Sequence, residues 1–335
     1  MTVLIPSWRR AAQLERCLLS LSKQTVYPDQ VVVIWQGDDT DTAALAHRIG
    51  AEVPFNLVVA HSADKGVVAA ENVGLSMATS EIIALLDDDA IAPETWISKY
   101  QQHYLDPSVG AVGGPMMNYT PEGKPFPRRS AETIGIIRRT GKVIGNMYDL
   151  DERLLAQPPR DVHHLVGANM TIRRSAFHQF EPELLAYWQM FETDACLAVA
   201  SRGYRVIFDP GNPIHHVPTN TAFVGDRTGD LHVKIFNPAF NHALILAKYR
   251  PFHVSLLQLA FAALTGSVGS PGLLALPLAA IRHGNPLRET KILIQTNLAR
   301  HAGWRRGRTL RRRSQKSIRH EDAECRTPQG ATAPR

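Results

Sequence analysis

Cysteine is scarce in this chain. Three in 335 residues (Cys17, Cys196, Cys325) form no even framework and no metal-binding spacing, which excludes a disulfide scaffold and points to a reducing compartment. Neither a Gly-x-Ser-x-Gly element nor a phosphate-binding P-loop occurs, which argues against hydrolase and kinase chemistry. Internal repeats are absent, and the 23 Gly and 22 Pro carry no period, so a collagen-like rod is excluded. With 44% hydrophobic and 20% charged residues, the composition fits a folded protein rather than a disordered chain or a multi-span membrane protein. A secretory leader is not expected: Thr2–Pro6 reads as a buried strand, with Arg9 and Arg10 after it instead of before.

The net charge of +6 is unevenly spread. Residues 300–335 hold eleven Lys/Arg against three acids, whereas the preceding 299 residues hold 26 basic and 28 acidic side chains. A mildly acidic body with a basic tail does not fit a nucleic-acid-binding domain, whose charge lines a folded face. It fits a soluble domain with a basic anchor, and no nucleic-acid partner is expected.

Apolar, β-rich runs alternate with helical patterns through the first half. Strands are expected at Thr2–Ile5, Gln30–Trp35, Asn56–Ala60, Glu81–Leu86 and Gly110–Val112, and helices at Gln13–Ser22, Thr42–Ile49, Val67–Met77 and Pro93–Tyr104. Such alternation predicts an α/β fold, a doubly wound, mostly parallel sheet covered on both faces. Ligands of such sheets lie beyond the carboxyl ends of the strands. Residues 115–160 are rich in Pro, Gly, Arg and Asn and read as a flexible insertion or acceptor-side lobe, or as a plain surface insertion. Regularity returns at His163–Arg173, then in a helix around Glu192–Ser201 and a strand at Tyr204–Phe208.

The sharpest chemical signal is Ile82–Leu86 running into Asp87, Asp88 and Asp89. Three carboxylates at a buried strand end repel one another unless a counter-ion is present. On an extended chain Asp87 and Asp89 point the same way and Asp88 elsewhere. Oxygen ligands of this kind suit Mg²⁺ or Mn²⁺, with substrate phosphates filling the remaining positions. Capping of the following helix is the simpler alternative, but three acids exceed what a cap needs.

These residues belong to an ordered series. Val3–Arg10, Asp64-Lys65-Gly66, Ala70-Glu71-Asn72-Val73-Gly74, Leu86–Asp89, Gly167-Ala168-Asn169-Met170, Phe191-Glu192-Thr193-Asp194, Gly203-Tyr204 and Asp209-Pro210 leading to His215-His216 resemble the successive signatures of family 2 glycosyltransferases of the GT-A fold. The resemblance spans roughly residues 2–216. It implies that Asp87 and Asp89 match the Asp-x-Asp motif that holds a divalent cation and the nucleotide-sugar diphosphate, with Asp88 beside them. Pro6, Ser7, Asp64 and Gly66 match positions lining the nucleotide pocket. His216 matches a histidine closing the site near diphosphate or metal, with His215 one residue away in an uncertain register.

An inverting transfer also needs a carboxylate to take the acceptor's proton. In similar families the base lies eleven residues before a helix-ending glycine, and counting back from Gly203 reaches Glu192, where Asp is more usual. Asp194 is the alternative, about 200° round the helix, so both cannot attend one hydroxyl. Either acid could instead simply favour the positive N-terminal end of its helix. One departure concerns the nucleotide. After the second strand, where the family commonly has Asp, this chain has Trp35-Gln36. Gln36 is able to meet a pyrimidine edge; UDP- and dTDP-sugars are the leading donors, with a guanosine nucleotide as the open alternative.

Residues 254–281 carry no charge over 28 positions. A straight helix of that length would reach roughly 42 Å, more than the roughly 30 Å hydrocarbon layer needs. Gly266–Gly272 is a poor helix interior, however, and Lys248, Arg250, Arg282 and Arg288 flank both ends. An apolar hairpin with both ends on the cytoplasmic side is therefore expected, with a soluble hairpin as the alternative. The eight Lys/Arg of Trp304–Arg319 are suited to anionic lipid.

The expected organisation is a GT-A domain over 1–235, a helical segment over 236–300 and a basic, disordered tail over 301–335, lying at the cytoplasmic face of the cell membrane. The expected activity is inverting, metal-dependent transfer from a nucleotide-sugar donor to a saccharide or lipid-linked acceptor. The rivals are a catalytically degenerate binding module and, with less support, a nucleotidyltransferase.

Overall fold

Val3, Leu4 and Ile5 are wholly buried, as are Val31–Ile34 beside them, because both strands carry aliphatic side chains on both faces, as sheets covered on two sides require. In this computed structural model, which describes residues 1–130, 133–145, 147–186, 190–218, 231–267 and 270–326, the chain divides into two compact units, Met1–Asp230 and Leu231–Arg335.

The first unit opens with β1 (Thr2–Ser7), α1 (Ala11–Leu21), β2 (Gln30–Gln36), α2 (Thr40–Gly50), β3 (Asn56–Ser62), α3 (Val67–Met77) and β4 (Ile82–Leu86). It continues with β5 (Ala90–Ile91), α4 (Trp96–His103), β6 (Val109–Gly113), β7 (Met116–Asn118), β8 (Ile136–Ile137), β9 (Val143–Ile144), α5 (Glu152–Leu155) and β10 (Arg160–Asp161). The last elements are β11 (Asn169–Arg173), α6 (Phe191–Ser201), β12 (Arg205–Phe208) and β13 (Ile214–His216). An eight-stranded sheet runs in the order β10-β12-β6-β11-β4-β1-β2-β3. The β3, β2, β1 and β4 strands are mutually parallel, as the alternating pattern predicts.

One central strand departs from that pattern. β11 lies antiparallel between β4 and β6. Its placement is fixed by a fully buried amide: Asn169 Oδ1 accepts from Trp96 Nε1 at 2.8 Å and Tyr100 OH at 2.7 Å, while its Nδ2 donates to the carbonyls of Pro115 and Asn212, each at 3.0 Å. A buried amide with all these partners specifies one register. The Gly167-Ala168-Asn169 element is thus structural. Gly167 lies beneath the Phe191 ring, where a Cβ would meet Cζ at 2.6 Å, and at Gly114 a Cβ would meet the Asn212 carbonyl at 2.1 Å.

A second, three-stranded sheet in the order β5-β13-β7 stands beyond the carboxyl end of β4. It pairs His216 with Ala90 and with Asn118. Residues 115–160, read from the sequence as a flexible insertion, an acceptor-side lobe or a plain surface insertion, contribute β7 to β9 and α5 and the first residue of β10. Buried Asp149 helps to hold this lobe, accepting from Asn118 backbone N at 2.7 Å and Asn118 Nδ2 at 2.9 Å.

The second unit contains α7 (Leu231–Tyr249), α8 (Phe252–Thr265), the short pair β14 (Gly266–Ser267) and β15 (Ser270–Pro271), α9 (Leu276–His283) and α10 (Pro286–Arg326). The apolar segment breaks at Gly266, whose φ of 78° ends α8; residues 268 and 269 lie outside the described residues. No helix among the described residues is long and apolar enough to cross a membrane. The basic tail expected to be disordered from 301 is helical to Arg326, and residues 327–335 lie outside the described residues. Glycine at 303 and 307 lets the start of this stretch pack closely. A Cβ there would sit 2.2 Å from the Phe240 and Leu244 carbonyls respectively, so α10 seats directly on the α7 backbone.

Candidate active site

The strand end at Leu86 leads into a turn, not an extended run: Ala90 N donates to the Asp87 carbonyl at 3.1 Å. The turn nevertheless divides the three acids as expected. Asp88 points inward, accepting from Ser7 Oγ at 2.7 Å and from Arg10 Nη1 at 3.0 Å. Burial pushes its carboxyl up to about 7, with Arg10 opposing the rise. Arg10 also donates to Asp89 Oδ2 at 3.1 Å. It is the counter-ion that three adjacent carboxylates demand, though its position just after β1 gave no spacing signal of its own.

Asp87, Asp89 and His216 converge, each offering a ligand atom within 4.8 Å of the others. His216 is buried on β13, whereas His215 turns the other way, its ring 4.8 Å from Tyr119. That settles the register. Asn118 Nδ2 donates to Asp149, so its Oδ1 must accept, and His216 Nδ1 lies 2.8 Å from that oxygen. The proton therefore sits on Nδ1, and Nε2 faces Asp89 Oδ1 at 3.0 Å. That carboxylate oxygen is buried and has no hydrogen-bond partner apart from the facing imidazole. Burial lowers the His216 pKa, but the facing Asp89 carboxylate outweighs it and the net direction is up. The raised pKa shows that a positive charge between Nε2 and the Asp89 oxygen is favoured, whether a proton or a cation supplies it. The donor set fits a divalent cation, and the Asn118 contact supplies the outer hydrogen bond that orients a ligating imidazole.

Glu192 lies in the first turn of α6, half-buried, and burial pushes its carboxyl up to about 7, with the negative Asp87 adding to the rise. Asp194 is almost fully buried. The two acids thus differ in access, in keeping with their separation around the helix. Tyr148, in the 115–160 lobe, has its hydroxyl pKa raised by burial of that end of the side chain and then by the negative charges of Glu192 and Asp87. Glu71 on α3 is buried with Oε2 unpartnered, and burial followed by the Asp87 charge holds it well above the usual carboxylate range. Neither was distinguished by sequence alone. The next residue, Asn72, clamps the Phe180 backbone through both ends of its amide, at 2.8 and 3.0 Å. Phe180 in turn packs edge-on against Phe191, the residue before Glu192.

Among the described residues, the three non-glycine residues with positive φ flank this cluster: Arg9 at 55°, Asp149 at 53° and Met190 at 55°. Such backbone conformations persist where surroundings over-determine them.

The residues expected on the nucleotide side gather at the carboxyl ends of β1, β2 and β3. Pro6 and Ser7 pair with Ile34 and Trp35. Gln36 Oε1 accepts from Gly66 N at 2.8 Å, so the side chain expected to read a base also ties down the Asp64-Lys65-Gly66 loop. Trp35 stacks on His61, with ring centroids 3.9 Å apart. Asp64 is exposed. His163 Nδ1 accepts from Ile137 N at 2.9 Å, a structural role. A separate cleft of about 410 Å³ beside α3, lined in part by Leu75, Arg174 and Phe177, includes none of the site carboxylates.

Comparison with known proteins agrees with this architecture. The sequence profile of glycosyl transferase family 2 matches residues 2–180, and the chain belongs to that family. Its fold is GT-A, shared with the crystal structure of GalNAc-T7 with UDP, GalNAc and Mn²⁺, at a TM-score of 0.61 and 13% identity over 78% of this chain and 49% of that one. Two similar relatives come from Haloferax volcanii. Glycosyltransferase AglE is 26% identical over 36% of this chain and 41% of its own length. A glucosyl-dolichyl phosphate glucuronosyltransferase is 24% identical over 51% of each chain. The chain thus spans about half the length of these curated relatives, or less.

Proposed function

We propose that the chain is an inverting glycosyltransferase that moves a sugar from a nucleoside-diphosphate donor to a hydroxyl of a saccharide or lipid-linked acceptor. The observation that carries this reading is the meeting of Asp87, Asp89 and His216 within 4.8 Å, beside Glu192 with its raised pKa. Asp87, Asp89 and His216 would hold Mg²⁺ or Mn²⁺, which when bound neutralises the departing diphosphate. Glu192 takes the proton of the acceptor hydroxyl as that oxygen bonds to the anomeric carbon and the bond to the diphosphate breaks. A carboxylate of pKa near neutrality, partly open to solvent, suits this task better than the enclosed Asp194. Asp88, engaged by Ser7 and Arg10, holds the strand end in place rather than meeting substrate directly.

UDP- and dTDP-sugars are the first donors to test, with Trp35, Gln36 and the Asp64–Gly66 loop on the nucleotide side. A lipid-linked acceptor draws support from the name of the dolichyl phosphate relative. Thermal-shift measurements with UDP, dTDP and GDP, with and without Mn²⁺, beside turnover of the corresponding sugars, test the proposal. A metal-dependent shift and turnover, both lost in Asp89→Ala, are expected. Binding without turnover for every acceptor would favour the degenerate binding module, and absence of both would overturn the reading.

A further inference from the structure

The second unit buries aliphatic side chains of α7 and α10, among them Leu244, Ile245, Ile292 and Leu293, but α8 is built inside out. Along α8 the buried side chains are polar, Ser255 at 2% and Gln258 at 5% exposure, while Phe252, Leu256, Leu257, Phe261 and Leu264 are exposed. Trp304 Nε1 donates to Ser255 Oγ at 3.0 Å, so the polar face is the one packed on α10. The first half of α10 is apolar on both sides: Ile292, Leu293 and Ala299 are buried beside Glu289, Thr296 and Arg300, yet Leu287, Ile294 and Leu298 are exposed. Leu274, Leu278 and Ile281 recur at helical spacing and are all more than two-thirds exposed, and α9 buries none of its residues. Leu274 N donates to the Leu264 carbonyl, which sets this row against the end of α8. A helix that faces water shows the opposite pattern, and exposed apolar surface on this scale marks an interaction site.

Charge identifies the occupant. Residues 231–335 hold 17 Lys/Arg against 4 Asp/Glu, whereas residues 1–230 hold 20 against 27. Exposed Leu and Phe together with a strong local excess of positive charge match an anionic lipid surface, where apolar side chains enter the acyl boundary and basic ones meet headgroups. A protein partner would have to be both apolar and strongly acidic. The lengths agree as well, since no helix among the described residues suffices to span.

We infer that the second unit docks on an anionic bilayer by laying the exposed apolar rows of α8, Leu273–Ile281 and the first half of α10 into its interface, without crossing it. This inference goes beyond the transfer reading and does not depend on it, because binding is measured without donor or acceptor.

The test is flotation of the full chain with vesicles of phosphatidylcholine alone or mixed with phosphatidylglycerol. The wild type is expected to float with the mixed vesicles and to bind the neutral ones more weakly. Leu257→Glu/Leu274→Glu/Leu278→Glu changes three side chains that are 69%, 72% and 70% exposed, so helical content should hold by circular dichroism. Bound protein should fall by about tenfold or more in this variant, as expected when apolar insertion is lost beside a retained basic patch. Wild-type levels of binding by the triple variant would overturn the inference, leaving the basic side chains alone as the anchor. Failure of the wild type to float with either vesicle would do the same. So would a lipid-free wild-type dimer that the triple variant dissociates, since the face would then be covered by a second copy.

Discussion

His216 Nε2 stands 3.0 Å from Asp89 Oδ1, and the opposite ring nitrogen is held by Asn118 at 2.8 Å. The histidine is therefore aimed from behind at a buried carboxylate with no other partner for that oxygen. Asn118→Ala removes the hydrogen bond that fixes the ring without touching the cluster itself. Mn²⁺ affinity, followed by titration of the metal signal, should weaken by about 10–100-fold, the usual cost of losing such an outer contact. An unchanged affinity would remove His216 from the metal site.

Much of this was legible beforehand. The Asp87–Asp89 cluster announced itself because a buried strand ending in three acids has few structural uses, and strands β1 to β4 followed from aliphatic runs separated by helical patterns. β11 did not. Its direction depends on Asn169 meeting Trp96, Tyr100, Pro115 and Asn212, contacts that span up to 73 positions and leave no periodic trace. Asn118 was hidden for a similar reason: it sits in the irregular 115–160 lobe and gains meaning only when β7 pairs with β13 and sets it beside His216. Arg10 was implied as a type, a counter-ion, before it was identifiable as a residue.

Glu192 carries a pH prediction. As the proposed base it must be ionised to accept a proton, and its pKa is pushed up to about 7. Metal-free geometry sets that value, and a bound cation would draw it down. The log of kcat/KM should therefore rise with pH on the acid side of neutrality and level off above it. Glu192→Gln should lower kcat by about 10²–10⁴-fold while nucleotide binding persists. Retention of the same acid limb by a still-active Glu192→Gln enzyme would assign the ionisation, and the base, elsewhere.

Arg10 carries a stability prediction. Arg10→Met leaves Asp88 and Asp89 buried without their shared cation, and breaking such a buried pair costs about 3–5 kcal/mol. Asp88→Asn in the same chain should recover part of that loss, measured as the shift in denaturation midpoint. The sign with pH follows from Asp88, whose folded pKa of about 7 lies above the ordinary carboxylate value. Its folded form keeps a proton that the unfolded chain has released, so its contribution to metal-free stability declines as pH rises through that window. A double variant no more stable than Arg10→Met alone would show that the guanidinium is not compensating Asp88.

Gly303 tests the register of the second unit. A Cβ there would lie 2.2 Å from the Phe240 carbonyl, a backbone atom that cannot step aside as a side chain does. Gly303→Val should therefore part α10 from α7, with an overpacking cost of roughly 1–3 kcal/mol. Alanine at Ile294, an exposed position on the same helix, should leave that contact intact. Limited proteolysis separates the two: rapid cleavage within α10 is expected for Gly303→Val and the wild-type pattern for Ile294→Ala. Equal resistance of both variants would mean that the long helix is held by something other than its close seat on α7, and that the basic residues beyond Gly307 owe their helical spacing to α10 alone.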